Sequence, residues 1–249
     1  KIFNKYKIDV IYNLAAQAGV RYSLKNPKLY NDYNINGFFN ILELSREKEI
    51  KRIFYASSSS IYGDSKKFPL TENLSLNPKN IYALSKKINE ELAQLYSGLY
   101  GIQLTGLRFF TVYGEWGRPD MFIMKYIVAS LQKKIFYLNN FGNHYRDFTY
   151  IKDINKILYL LLKAKQKKKH EVLNICSSSP VKITSVISYL NSLMTKPKLK
   201  KIPLQTADVI KTHGSNTKLK KIISFKKFTN INSGLLNVFN WAKKNKVKF

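Results

Sequence analysis

Short apolar runs alternate with longer stretches of helical periodicity over the first ~110 residues, and this alternation most restricts the fold. Residues 9–14 (DVIYNL) read as a buried strand, and so do residues 52–56 (RIFYA) and 102–110. Between them lie a helical stretch from Pro27 to about residue 48 and a helix over residues 81–100. Leu84, Ile88, Leu92 and Leu95 share one face of that second helix, and Gly101 stops it. The pattern predicts an α/β fold, a parallel sheet covered on both sides. Further helices are expected over residues 119–133, 150–164, 185–194 and 233–245, with a strand at 171–175. The 249 residues suffice for one large domain or two small ones.

The formal net charge of +28 points toward nucleic acid or an anionic membrane. The lysines are spread along the whole chain, with Asn, Ile and Tyr also abundant, which fits a coding bias better than a selected patch. The densest run, residues 163–169 (KAKQKKK), falls at the end of an expected helix, where the dipole favours cations. Neither a nucleic-acid partner nor a membrane span is expected, since no stretch approaches the ~20 apolar residues a span needs. The lone cysteine, Cys176, rules out an intramolecular disulfide and fits a cytoplasmic setting. No metal site is expected.

Six of the 43 basic residues are arginine. In so lysine-rich a chain, an arginine marks a place needing a planar, bidentate donor for phosphate or carboxylate. Arg21, Arg108, Arg118 and Arg146 fall in the motifs below, whereas Arg46 and Arg52 read as ordinary surface or packing residues.

Tyr82 and Lys86 (YALSK) sit at i and i+4, on the same helix face. A nearby ammonium favours the phenolate, so Tyr82 is a candidate general base with its pKa lowered by Lys86. Alone, the spacing matches by chance in a chain so rich in lysine. Upstream, a strand runs into Ser57, Ser58, Ser59 and Ser60. Hydroxyls at the carboxyl edge of a parallel strand stand where such sheets bind ligands, although a polar turn reads the same way. Strand, serines, loop and tyrosine helix together are far more specific.

With these residues the chain resembles the extended short-chain dehydrogenase/reductases, and among them the UDP-glucuronate 4-epimerases. The matching segments are residues 13–23 (NLAAQAGVRYS), 56–63 (ASSSSIYG), 82–86, 107–121 (LRFFTVYGEWGRPDM) and 145–153 (YRDFTYIKD). The resemblance implies a Rossmann sheet that binds NAD, plus a smaller substrate domain. It places the partial NAD-binding domain at residues 1–110, a return to it at 145–176, and a mainly substrate-binding part at 111–249. Tyr82, Lys86 and Ser58 become the catalytic triad. Leu14, Ala15 and Ala16 line the cofactor through their backbone, with Asn34, Ser57 and Phe109 beside it. Arg21 and Arg146 hold the diphosphate or acidic end of a UDP-sugar, and Arg118 and Asp208 are further substrate contacts. Ser59, Ser60 and Thr111 receive the C6 carboxylate.

The implied reaction oxidises the sugar at C4, turns the keto sugar over and returns hydride to its other face, regenerating NAD each cycle. Related dehydratases carry Asp-Glu, and related decarboxylases a Glu, where this chain has Ser59 and Ser60. Related epimerase-reductases use a Cys–His pair that Cys176, His144, His170 and His213 do not form. The three histidines read as ordinary polar residues.

The chain departs from the pattern at its start. The Gly-rich phosphate loop is missing, which places roughly 70 residues of βαβ structure upstream. The polypeptide alone is expected to bind NAD poorly and to be inactive. Homodimerisation is expected through helices near Phe38 and Leu84. The rival readings are a 4-epimerase for a neutral UDP-hexose, and a non-catalytic binding protein on the same fold.

Overall fold

The computed structural model describes residues 1–165, 167–205 and 208–247. Its strands are β1 (Val10–Asn13), β2 (Arg52–Ser58), β3 (Gln103–Phe109), β4 (Thr111–Tyr113), β5 (Phe136–Asn139), β6 (Tyr145–Tyr150), β7 (His170–Ile175), β8 (Pro180–Lys182) and β9 (Leu199–Ile202). β1, β2, β3 and β7 form one sheet in that order, every pair parallel. β2 and β3 are buried along almost their whole length, as expected of strands with helices on both faces. On one face, Phe38 and Leu42 pack with Tyr55, Ala93 and Leu104. On the other, Ile154, Ile157 and Leu161 of the Ile151–Lys163 helix pack with Phe54, Leu107 and Leu173. Gly106 is required at the sheet centre, because a Cβ there would stand 2.6 Å from the Tyr55 hydroxyl and 2.9 Å from Val172.

A second core lies around two small sheets, β4–β6–β8 and β5–β9, under helices Phe122–Leu131, Ile183–Leu193 and Ile231–Lys244. The chain crosses back from this part twice, through β7 and through the Thr217–Ile222 helix that packs beside it.

The helix carrying Tyr82 spans Ile81–Tyr100. Asn80 caps its first turn by accepting from the Ala83 N–H at 2.9 Å, and Gly101 ends it in a left-handed conformation at φ 67°. One expectation needs correction. The stretch from Pro27 is not one α-helix, since a wide π-helical segment, Asn31–Asn36, interrupts it before the Gly37–Glu47 helix. Phe38 is core, 2 % exposed, and it is Phe39 that faces outward at 41 %.

Arg52 is a packing residue that caps a helix end. It donates to the carbonyls of Leu161, Leu162 and Ala164 at the end of the Ile151–Lys163 helix. Arg46 is the expected exposed residue, paired with Glu43 three positions away. Within the 163–169 run, residue 166 lies outside the described residues. Among the described residues no helix is long and apolar enough to cross a membrane, and no group of side chains could hold a metal ion.

Candidate active site

The carboxyl ends of β2 and β3 open onto a cavity of ≈ 1130 Å³ that extends to β5 and β6. Ser58 ends β2 and caps the short turn Ser59–Tyr62, its Oγ accepting from the Ser60 N–H at 3.2 Å. Oγ also donates to the Ser60 hydroxyl at 3.0 Å. Tyr82, one residue into its helix, has Ser58 near enough to favour its phenolate and lies edge-on to Tyr30, with ring centres 6.1 Å apart. Two consecutive elements of the βαβ unit therefore bring hydroxyl and phenol together at the sheet edge.

Lys86 takes a different course from the one its spacing implied. It is 2 % exposed and its Nζ donates to the Ala56 carbonyl of β2 at 2.9 Å. Burial pushes its pKa down to about 8. The Tyr82 phenol is pushed up from 10.0 by desolvation, and the influences opposing this are the Ser58 hydrogen bond and the Arg118 charge. Lys86 is not among them in the free protein. Nearness along one helix face does not fix where a long side chain points.

Ser59, Ser60, Phe109 and Thr111 line the cavity, as do Arg21, Arg118, Arg146 and Asp208. Arg118 is clasped by Asp120 at 3.0 and 2.5 Å. At the far end, Arg21 pairs with Asp208 at 3.1 and 2.6 Å, and the Asn139 amide in its better-satisfied orientation also accepts from Arg21. Arg146 donates to the Tyr145 and Ile210 carbonyls. Burial pulls its guanidinium down to about 10, a drop that Asp208 opposes and Arg21 reinforces.

Two residues expected beside the cofactor are turned elsewhere. Ser57 is 2 % exposed and donates to Glu90 at 2.5 Å. Alternation along a strand sends neighbouring side chains to opposite faces, so Ser57 faces the core where Ser58 faces the cavity. Asn34 is a tie within the fold. Its Oδ1 accepts from the Gln17 N–H at 2.8 Å, and its Nδ2 donates to the Gln17 carbonyl and the Ser85 hydroxyl, each at 3.0 Å. It thus pins the loop after β1 to the tyrosine helix. Leu14, Ala15 and Ala16 lie exposed in that loop.

Arg108 does bind a carboxylate bidentately, but an internal one, Glu90, at 2.9 and 2.7 Å. The same Glu90 holds Ser57, and Arg108 also donates to the Tyr62 hydroxyl at 2.8 Å. This buried network sits directly beneath the Ser58 turn. His144, read from the sequence as an ordinary polar residue, is part of the cavity wall. The signal that could have singled it out is its spacing, two residues before Arg146 at the start of a strand and so on the same face.

A parallel sheet with a hydroxyl, a tyrosine and a buried lysine gathered at its carboxyl edge defines a dinucleotide-dependent α/β enzyme. The chain belongs to the NAD dependent epimerase/dehydratase family, whose profile matches residues 1–176. An uncharacterised protein of Methanocaldococcus jannaschii is 42% identical over 242 residues, covering 96% of this chain and 74% of that one. A UDP-glucuronate 4-epimerase of Thermodesulfobacterium geofontis is 38% identical over 247 residues, covering 98% and 75%. The crystal structure of UDP-glucuronic acid 4-epimerase from Bacillus cereus, in complex with UDP-glucuronic acid and NAD, superposes with a TM-score of 0.88 at 29% identity, covering 96% of this chain and 76% of that one.

The residues present fit NAD on the nicotinamide side. Lys86 has three N–H donors and directs one to Ala56, which leaves donors for a ribose. The exposed backbone of residues 14–16 stands at the carboxyl end of a parallel strand, the edge at which such sheets receive dinucleotides.

Proposed function

We propose that this protein is a nucleotide-sugar 4-epimerase that converts UDP-glucuronate to UDP-galacturonate. The observation that carries this reading is the composition of one cavity. A Ser58–Tyr82 pair stands at one end, Arg21 and Arg146 at the other, and the hydroxyls of Ser59, Ser60 and Thr111 beside the pair. NAD, when bound, supplies a hydride acceptor that is restored within each cycle. Ser58 orients the C4 hydroxyl toward Tyr82, whose phenolate removes its proton. The Arg118 charge and the Ser58 hydrogen bond stabilise that phenolate against the cost of desolvation. Lys86, held by Ala56, offers its remaining N–H groups to the cofactor ribose. Arg21 and Arg146 grip the diphosphate.

The 4-keto derivative of a glucuronate is a β-keto acid, prone to lose CO₂. Ser59, Ser60 and Thr111 hold its carboxylate by neutral hydroxyls, in a geometry poor for that loss. Residues outside 1–110 and 145–176 add Thr111, Arg118 and Asp208 to the substrate side of the cavity. The outward apolar stripe of the tyrosine helix, Leu84, Leu95 and Leu99, joins Phe39 in pairing two copies of the chain. The test is to incubate the full-length protein with NAD and UDP-glucuronate and separate the products. UDP-galacturonate supports the reading. A decarboxylated pentose product, or conversion of neutral UDP-hexoses alone, sinks the glucuronate assignment.

A further inference from the structure

His144 is 5 % exposed, yet its Nε2 has no hydrogen-bond partner. Its position is set by the backbone rather than by the ring. Its N–H donates to the Gly142 carbonyl, and its carbonyl accepts from Ile183, both at 2.9 Å. The ring forms part of the cavity wall. Buried polar atoms in folded proteins are overwhelmingly paired, and an orphan at a cavity is a place where a ligand can complete the bonding. The charged groups whose fields reach this imidazole are Arg146 on its own strand, Arg21 from the Val20–Lys25 helix, and Asp208 from the loop after β9. The one carboxylate of the three is engaged through both oxygens by Arg21. Burial and the adjacent Arg146 favour the neutral ring, which carries a single N–H.

We propose that His144 is a third phosphate ligand, donating its Nε2–H to an oxygen of the nucleoside diphosphate that Arg21 and Arg146 hold. The inference rests on the reading of this cavity as a nucleotide-sugar site. Two guanidiniums and an unpaired imidazole nitrogen share this end of the cavity, a set that matches an anion with several acceptor oxygens better than a sugar hydroxyl or a base edge. Because Nε2 is closed to solvent in this state, the phosphate reaches it as Arg21 exchanges Asp208 for the ligand. His144 thereby makes tight binding conditional on the phosphate, since a ligand without it leaves the nitrogen unpaired.

The test titrates the full-length protein, loaded with NAD, with UDP and with uridine, followed by ligand-observed NMR. His144→Phe keeps a ring without a donor, and His144→Gln keeps a donor. The Phe variant is expected to bind UDP at least tenfold more weakly, roughly the contribution of one hydrogen bond to a charged group, with uridine unaffected and the Gln variant close to the parent. UDP binding unchanged by His144→Phe, or an equal loss for uridine, overturns the proposal. Should the variants fold poorly, ¹⁵N-histidine spectra of the parent decide. At least one Nε2 signal moves when UDP is added, and no movement overturns the proposal as surely. Parent protein that binds no UDP sinks both readings. UDP binding that depends on His144 without conversion of UDP-glucuronate sinks only the sugar assignment, and conversion with His144→Phe indifferent to UDP sinks only the role of His144.

Discussion

The two ends of the cavity solve opposite problems. At the sheet edge, Ser58, Tyr82 and Lys86 are held by short-range bonds before any ligand arrives, and desolvation dominates both titratable groups. At the far end, Arg21 and Asp208 are charged and satisfy one another, with the Arg21 side chain 51% exposed. Burial acts throughout, raising the phenol, an acid neutral when protonated, and lowering Lys86 and Arg146, bases charged when protonated. Chemistry needs groups fixed in a dry setting, because their alignment must not be rebuilt during the reaction. Anion binding needs charges kept in good company until the anion comes, and a provisional ion pair does this without leaving a bare charge.

The sharpest way to break this comparison is Tyr82→Phe. It should lower turnover by roughly 10³-fold or more while UDP affinity stays that of the parent. A matching loss of affinity would show that the two ends are not separate. Next is Arg108→Met, beneath the catalytic turn. It leaves Glu90 buried without its partner and should destabilise the fold by about 3–5 kcal/mol in urea unfolding. Arg146→Met at the other end should weaken UDP binding by roughly 10- to 100-fold with little change in turnover at saturation. A fall in turnover without a change in affinity would reverse the assignment.

The smallest effect is on stability and concerns Lys86. Its folded pKa, about 8, lies below the ordinary 10.5. The unfolded chain therefore binds the extra proton between these values, and stability rises with pH across that window. Lys86→Met should abolish activity, yet stabilise the cofactor-free protein at pH 7 by about 1–2 kcal/mol once the lost bond to Ala56 is offset. That gain should shrink as pH rises from about 8 and be gone well above 10.5, where the lysine is neutral in both states. Thermal unfolding at pH 7 and pH 10 checks both the sign and the window.

Legibility in the sequence followed the range of the interactions. The tyrosine helix was readable to its ends, because Asn80 and Gly101 are local signals that act on their own turn. The strands of the main sheet were readable as apolar runs. β4, β5, β6, β8 and β9 were not. They are three to six residues long, and partners such as β5 and β9 lie some sixty residues apart in the chain. Within the site, the hydroxyls of Ser58 and Tyr82 were visible as a motif, and the scarcity of arginine pointed to Arg21, Arg118 and Arg146. The choice of partner was hidden. Nothing local distinguishes an arginine aimed at a ligand from Arg108 aimed at Glu90, or a lysine aimed at a phenol from Lys86 aimed at a carbonyl.

The wide segment at Asn31–Asn36 carries a consequence for how the chain tolerates change in length. A helix counts residues by angle, and each one inserted or removed turns everything downstream by about 100°. Losing a single residue here would let an ordinary α-helix run through, but it would swing Asn34 off the Gln17 backbone and the Ser85 hydroxyl. The same rotation would carry Phe38 and Leu42 out of their core and bring other faces of the Gly37–Glu47 helix against the sheet. One codon at this spot would therefore unsettle the floor of the cofactor loop and the packing of the sheet together, whereas a similar deletion in an exposed loop would disturb little.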